Sequence, residues 1–354
     1  MKKTKFMALA LASTLCLSLI SGCAAGEKPT GGDSSKPGTV AFKLGGTGPL
    51  TGGAAIYGNA AQSGAQIAVD EINAMGGIQF DLKYQDDTHD AEKAVNAYNA
   101  LKDWGMQISL GSVTSKPCEA TAAETFTDRV FALTPSASSP AVIDGKDNMY
   151  QMCFSDPNQG SASAQYIKDK SLATKVAVIW KNDDVYSKGI WETFDAKAKE
   201  LGLEVVANST FADGNDTDFN VQLTEAKNAG AELIFLPMYY TPASLILSQA
   251  KSMGYAPKFF GVDGMDGILS IEGFDKTLAE GVMLLTPFNA DSTEARTAAF
   301  VKTYQEKYKG LPNQFAADAY DCVYAYKQAL EAAGCTTDMS AADICEKLVA
   351  TFPT

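Results

Sequence analysis

Three short stretches concentrate groups able to hold a small charged molecule. "GSVTSKP" at 111–117 and "TPSASSP" at 134–140 set hydroxyls beside backbone N–H groups, where an apolar strand gives way to a helix. Hydroxyls and free N–H groups at a helix N-terminus make an anion site. Lys116 is the one cation placed for a phosphate, so a carboxylate fits better. The same serines and threonines can also serve simply as helix caps. "GVDGMDG" at 261–267 puts Asp263 just past another apolar strand, where an acid can bind an ammonium group or cap a turn. Tyr57, Tyr186 and Tyr239 fall beyond strand ends or in early helix turns. Singly, such tyrosines fill cores; together they can wall a pocket for a side chain or a cation.

Catalytic signatures are weak. The single histidine, His89 in "DDTHD", reads as a turn residue and leaves little for a histidine-dependent triad. Ser187 in "VYSKG" has Val185 where a nucleophile elbow needs glycine. Ser248 and Lys251 match S-x-x-K only within an amphipathic helix. "GGTGPLTGG" lacks the lysine and hydroxyl of a phosphate loop, and its glycines fit a tight strand-to-helix turn. The acids of "DDTHD" can bind a cation, but such a run usually forms a solvated turn. No metal or cofactor is expected.

These residues need a scaffold, and the pattern of the chain supplies one. "VAFKLGG", "FDLKYQDD", "QISLG" and "VFALTP" read as strands between amphipathic helices such as "AAIYGNAAQSGAQIAVDEINAMGG" and "DAEKAVNAYNALKDW". The series restarts with "KVAVIW", "LEVVANSTF", "ELIFLPM" and "KFFGVD". Short β-rich runs between helices predict an α/β fold with parallel sheets, and two series predict two lobes. The expected division is 40–156 with 287–345 in one lobe and 157–286 in the other. Ligands of parallel α/β sheets sit beyond the carboxyl ends of the strands, where the stretches above fall.

The front end is distinct. Lys2, Lys3 and Lys5 precede an apolar run that fits an export signal and is short for a membrane span. "LISGC" resembles the bacterial lipobox, which predicts a signal at 1–22 and a lipid on Cys23. Residues 23–39, rich in Gly, Ser, Pro and Lys, read as a flexible tether. The net charge of -13 becomes about -16 without the three signal lysines, which disfavours nucleic acid and anionic lipid surfaces. Cys118, Cys153, Cys322, Cys335 and Cys345 form no CxxC pair. Cys335 and Cys345 can pair, although buried free thiols are the expected state.

Taken in order, "GPLTGGAAIYGNAAQSGAQIAVDEINAMGGI", "YQDDTHDAEKAVNAYNAL", "GSVTSKP", "TPSASSP", "CFSDPNQG", "NDDVYSKG", "GNDTDFNVQL", "IFLPMYY" and "FFGVDGMDG" resemble the branched-chain amino-acid binding proteins of ABC transporters, a class of type I periplasmic binding proteins. The resemblance covers nearly all of the chain after Val40. It implies two Rossmann-like lobes on a three-segment hinge, closing on a ligand. It also implies that Ser115 and Ser138 bind the ligand carboxylate, with Ser136 contributing main-chain groups. Asp263 would take the α-ammonium with help from Tyr186, and Tyr57, Val113, Tyr239 and Phe315 would line the side-chain region. The implied partners are an aliphatic amino acid and a membrane permease. The expected protein is a monomer outside the cytoplasm, lipid-anchored through Cys23.

Three departures stand out. Asp263 replaces the Glu of many relatives, and Met265 stands where many have Trp. The chain stops at "EKLVATFPT", so 346–354 reads as the start of a truncated return segment to the second lobe. Micromolar affinity corresponds to about -8 kcal/mol. Charged hydrogen bonds at about 1.5–3 kcal/mol each can supply much of it, whereas one methylene is worth about 0.8 kcal/mol. Zwitterion recognition should be sharp and discrimination among Leu, Ile and Val shallow. The alternatives are a sensor lipoprotein for another solute (an aromatic amino acid, an amide or urea) and, less favoured, an exported hydrolase.

Overall fold

The structure, a computed structural model, describes residues 40–352. The expected signal, Cys23 and tether lie outside the described residues, as do positions 353–354.

The first lobe opens with β1 (Phe42–Gly48), α1 (Ala55–Met75), β2 (Phe80–Asp86), α2 (Ala91–Trp104), β3 (Ile108–Ser112), α3 (Ser115–Asp128), β4 (Phe131–Thr134) and β5 (Met149–Gln151). The second lobe holds α4 (Asp156–Asp169), β6 (Lys175–Lys181), α5 (Val185–Leu201), β7 (Glu204–Phe211), α6 (Asn220–Asn228), β8 (Leu233–Leu236), α7 (Tyr240–Ser252), β9 (Lys258–Gly261) and β10 (Met283–Leu284). The chain then returns to the first lobe as α8 (Ala295–Tyr308), α9 (Gln314–Ala332) and α10 (Ala341–Thr351).

Each lobe is built on a five-stranded parallel sheet, ordered β2-β1-β3-β4-β5 in one and β7-β6-β8-β9-β10 in the other. In both, the connections reverse direction beside the first strand of the series, between β1 and β3 and between β6 and β8. The carboxyl ends of strands at such a switch point splay apart and leave a crevice. β3 and β8 are buried along their whole length, as expected for central strands covered by helices on both faces.

Two glycines set how closely helices approach. A Cβ at Gly64 of α1 would collide with the Ala316 carbonyl of α9, and one at Gly160 of α4 would meet the Ile190 carbonyl of α5. Helix α4, with β5, had no counterpart in the strand and helix pattern. Its "DPNQGSASAQYIKD" is a poor helix former by composition. It forms because Ala164 and Ile167 bury against the α5 side of the second core, with Pro157 tolerated in the first turn.

Among the described residues the chain passes between the lobes twice, between β5 and α4 and between β10 and α8. The expected hinge has three segments. Residues 346–352, expected to begin a return segment, instead complete α10 and its last turn on the first lobe. Leu348 is buried there, and the Phe352 ring packs 5.1 Å from both Phe131 and Tyr150. Cys118, Cys153, Cys322, Cys335 and Cys345 are free thiols. Among the described residues no helix is long and apolar enough to cross a membrane.

Candidate functional site

The first lobe contributes a wall of hydroxyls and helix N-terminus at the β1/β3 switch point. Ser115 begins α3, and Thr114 before it makes no capping bond with its side chain. The positive end of α3 is therefore open at this edge. The Ser115 hydroxyl oxygen accepts from the N–H groups of Ser138 (3.1 Å) and Ser139 (3.2 Å), which leaves its own hydrogen to donate. The Ser136 hydroxyl donates to the Val113 carbonyl at 2.5 Å, tying the "TPSASSP" loop to the "GSVTSKP" loop. Gln151 clamps the same loop by donating to the carbonyls of Ala137 (2.6 Å) and Ser139 (2.8 Å).

The second lobe contributes an acid and stacked aromatics. Asp263 opens a short 3-10 turn after β9 and is buried. The Tyr186 hydroxyl donates to its carboxylate at 2.5 Å and accepts from the Gly264 N–H at 2.9 Å. Tyr186 is held at the start of α5, where the Asp184 side chain caps its N–H. Burial pushes the Asp263 carboxyl up to about 6, against the lowering hydrogen bond from Tyr186. The Tyr186 hydroxyl, buried beside that acid, is driven well above its ordinary range and stays protonated. The Tyr186 and Tyr239 rings stack 4.7 Å apart and 5° from parallel.

The two walls meet. Tyr57 of α1 donates its hydroxyl to the Gly264 carbonyl and accepts from the Tyr240 N–H at 3.1 Å. The Tyr240 hydroxyl accepts from the Ile56 N–H at 3.1 Å, and the Thr241 hydroxyl donates to the Gly53 carbonyl at 2.6 Å. Gln314, at the start of α9, donates to the Asp263 carbonyl at 3.1 Å. The lobes are closed over a narrow cleft lined by Tyr57, Val113, Thr114, Ser115, Ser136, Tyr186, Tyr239, Asp263, Gly264 and Phe315.

Eight of the nine residues singled out from sequence therefore share this wall. Ser138 sits one layer back: its N–H serves Ser115, its carbonyl accepts from the Asp156 N–H at 3.0 Å, and its hydroxyl has no partner among the described residues. Met265 is buried against Gly261, off the pocket wall. Thr114 and Gly264 were not anticipated, although both adjoin residues that were. Gln159 and Asp156 were missed for want of a predicted α4. Gln159 accepts from the Asp263 N–H at 3.1 Å, while neither carboxylate oxygen of buried Asp156 has a hydrogen-bond partner among the described residues. Burial drives the Asp156 carboxyl well above its ordinary range. His89, read as a turn residue, does stand in a turn with φ 63°, yet its ring lies edge-on to Tyr239 at 5.2 Å.

A pair of doubly wound lobes closed over a small pocket, hydroxyl-rich on one side and acidic on the other, defines a two-lobed binding protein. The chain belongs to the periplasmic binding protein family, whose model matches residues 41–351. It is similar to the branched-chain amino acid transporter substrate binding protein LivJ of Streptococcus pneumoniae, solved with isoleucine. The two are 31% identical with a TM-score of 0.79, and the likeness covers 87% of each chain. A leucine binding protein LivK from Thermotoga maritima is 28% identical with a TM-score of 0.78, again over 87% of each chain. A Leu/Ile/Val-binding protein homolog of Brucella melitensis is 29% identical over 83% of this chain and 79% of its own.

Proposed function

We propose that this chain is the solute-binding component of an ABC importer and closes its lobes on an amino acid, an aliphatic one such as leucine, isoleucine or valine. The observation that carries the reading is the polarity of the pocket. Ser115 and the open end of α3 offer hydrogen-bond donors from one lobe, which suit an anion, and the Asp263–Tyr186 pair offers a carboxyl from the other, which suits a cation. A free α-amino acid carries both charges a few ångströms apart. Ser115, Ser136 and the backbone around them would take the carboxylate, with Ser138 bracing Ser115 from behind. Asp263, ionised once a cation sits beside it, would take the α-ammonium. Tyr57, Val113, Tyr239 and Phe315 would wall the side chain. Binding rather than turnover is the role, with the amino acid handed on unchanged to membrane subunits. A lipid on Cys23 would hold the protein outside the cytoplasmic membrane as a monomer.

Calorimetric titration of the purified protein with leucine, isoleucine, valine and their amides tests the reading. Saturable binding of the amino acids and none of the amides supports it. Binding of the amides alone would discard the carboxylate site.

A further inference from the structure

His89 belongs to the first lobe, and its closest aromatic neighbour belongs to the second. Its ring is edge-on to Tyr239, and its Nδ1 shares a 2.8 Å hydrogen bond with the Thr114 hydroxyl, which lines the pocket. The backbone is committed to this placement. Thr88 and His89 both adopt positive φ, at 49° and 63°. Asp86 and Asp87 accept their N–H groups, each at 2.9 Å. Non-glycine residues seldom hold two such conformations in succession without supporting contacts. Tyr239, in turn, stacks on Tyr186, the partner of Asp263. A chain of contacts thus runs from His89 across the cleft to the acid of the site.

We propose that His89 is a positioning residue for the closed state: it seats Tyr239 across the cleft only as the neutral imidazole, so that closure on ligand at mildly acid pH releases a proton to solvent. The inference rests on the amino-acid reading for its choice of ligand alone.

The surroundings of His89 support this. In the closed protein burial, then the Lys181 ammonium of the facing lobe, then Lys116, hold its pKa down at about 4, against Asp213 and Asp90, which favour the charged form. Lys181 and Asp213 pair with each other, so the field from that lobe is partly neutralised. Asp87 accepts the His89 N–H, and burial pushes its own carboxyl up to about 6, so its charge changes within the same range and is common to wild type and any His89 variant. Opening the cleft removes Tyr239, Lys181 and Asp213 together and returns the imidazole toward its ordinary value of about 6.5. Between those two values the open form binds a proton that the closed form excludes, so acid favours the open form.

His89 is the only histidine in the chain, which makes its imidazole resonances unambiguous. NMR titration of the protein, free and saturated with leucine, should place the free imidazole near the ordinary range and the saturated one near 4. The same value in both states would overturn the proposal. Leucine affinities of wild type and His89→Asn between pH 7.5 and 5.5 provide a second readout. Asparagine can still bond to Thr114 but does not titrate, and the effect of Asp263 is common to both proteins. The wild-type to variant ratio of Kd should rise by about tenfold as pH falls across this range. A flat ratio would make His89 merely structural. Oxidising a Gly53→Cys, Thr241→Cys double variant locks the lobes at the 2.6 Å Thr241–Gly53 contact without ligand. His89 should titrate near 4 there as well. If leucine fails to bind but the locked protein shows the low value, only the choice of ligand is wrong. An ordinary histidine titration in the locked protein sinks the proposal itself.

Discussion

The hydroxyl of Tyr57, on the first helix of one lobe, donates to the carbonyl of Gly264 in the other lobe, one residue from Asp263. The same oxygen accepts from the Tyr240 N–H, so one side chain satisfies two backbone groups across the cleft. All of these groups are buried when the lobes are closed. Tyr57→Phe keeps the ring packing on Tyr240 and Phe315 but leaves both backbone groups unpaired. Such a loss costs about 1–3 kcal/mol. Because open lobes return these groups to water, the cost falls on closure. The expected outcome is a leucine affinity lower by about tenfold, mainly through faster dissociation, with little change in unfolding midpoint. Stopped-flow dissociation rates check it; an unchanged rate would remove Tyr57 from the latch.

Among the described residues Asp263 is the only carboxylate on the pocket wall, and Tyr186 orients it. Asp263→Asn retains an acceptor for Tyr186 and removes the charge. Asp263→Ala removes both. Loss of a charge-assisted hydrogen bond of about 1.5–3 kcal/mol predicts a Kd raised by well over tenfold in either variant. Tyr186→Phe should cost less, since the acid remains. Calorimetry on the three variants decides the order; Asp263→Asn binding like wild type would refute the ammonium site.

Much of this site was legible because parallel α/β folds put function at strand ends, and strand ends are easy to find. "GSVTSKP", "TPSASSP" and "GVDGMDG" each follow a buried apolar run, so Ser115, Ser136 and Asp263 could be placed without knowing which strands were neighbours. Resemblance to a known family then tied Val113 and Phe315 to the same pocket, which spacing alone could not do. What escaped had a physical cause in each case. α4 is specified by packing against α5 rather than by propensity, so Asp156 and Gln159 had no element to stand on. His89 sits in a hydrophilic turn whose unusual features, two successive positive φ values and its reach across to Tyr239, exist in three dimensions alone. The place of α10 escaped because the packing of Phe352 against Phe131 and Tyr150 is a tertiary fact.

The closed site carries an electrostatic cost that pH should reveal. Burial raises the carboxyls of Asp263, Asp184 and Asp87 to about 6 each. Between about 4 and 6 the folded protein keeps protons that the unfolded chain has released. Stability from these groups is therefore present at acid pH and falls as pH rises through that window. His89 has the opposite sign, and so do Asp86, Asp147 and Asp213, which are held low and act at still lower pH. Asp263→Asn removes one raised group. Each tenfold difference in proton affinity between folded and unfolded chain is worth about 1.4 kcal/mol, so relative to wild type the variant should gain up to about 3 kcal/mol between pH 4 and pH 7. Urea unfolding at the two pH values, with both proteins carrying the Gly53→Cys, Thr241→Cys lock that keeps the lobes closed, measures this directly. A constant difference would mean that Asp263 is hydrated in the closed protein.

The helix pair that carries Tyr57 and Phe315 depends on one missing side chain. Gly64 of α1 faces the Ala316 carbonyl of α9, and a methyl there would overlap backbone rather than a flexible side chain. Backbone cannot swing aside, so Gly64→Ala must push the helices apart. Overpacking of this kind costs about 1–3 kcal/mol. The separation would also move Tyr57 from Phe315, whose ring centroids now lie 4.5 Å apart, and shift the Gln314 side chain from the Asp263 carbonyl. Stability and ligand affinity should therefore fall together. Gly160→Ala at the α4–α5 crossing should lower stability by a similar mechanism while sparing the Tyr57–Phe315 contact. Denaturation curves and leucine titrations of both variants separate the two effects. If Gly64→Ala lost stability but kept full affinity, the spacing of α1 and α9 would have no part in shaping the pocket.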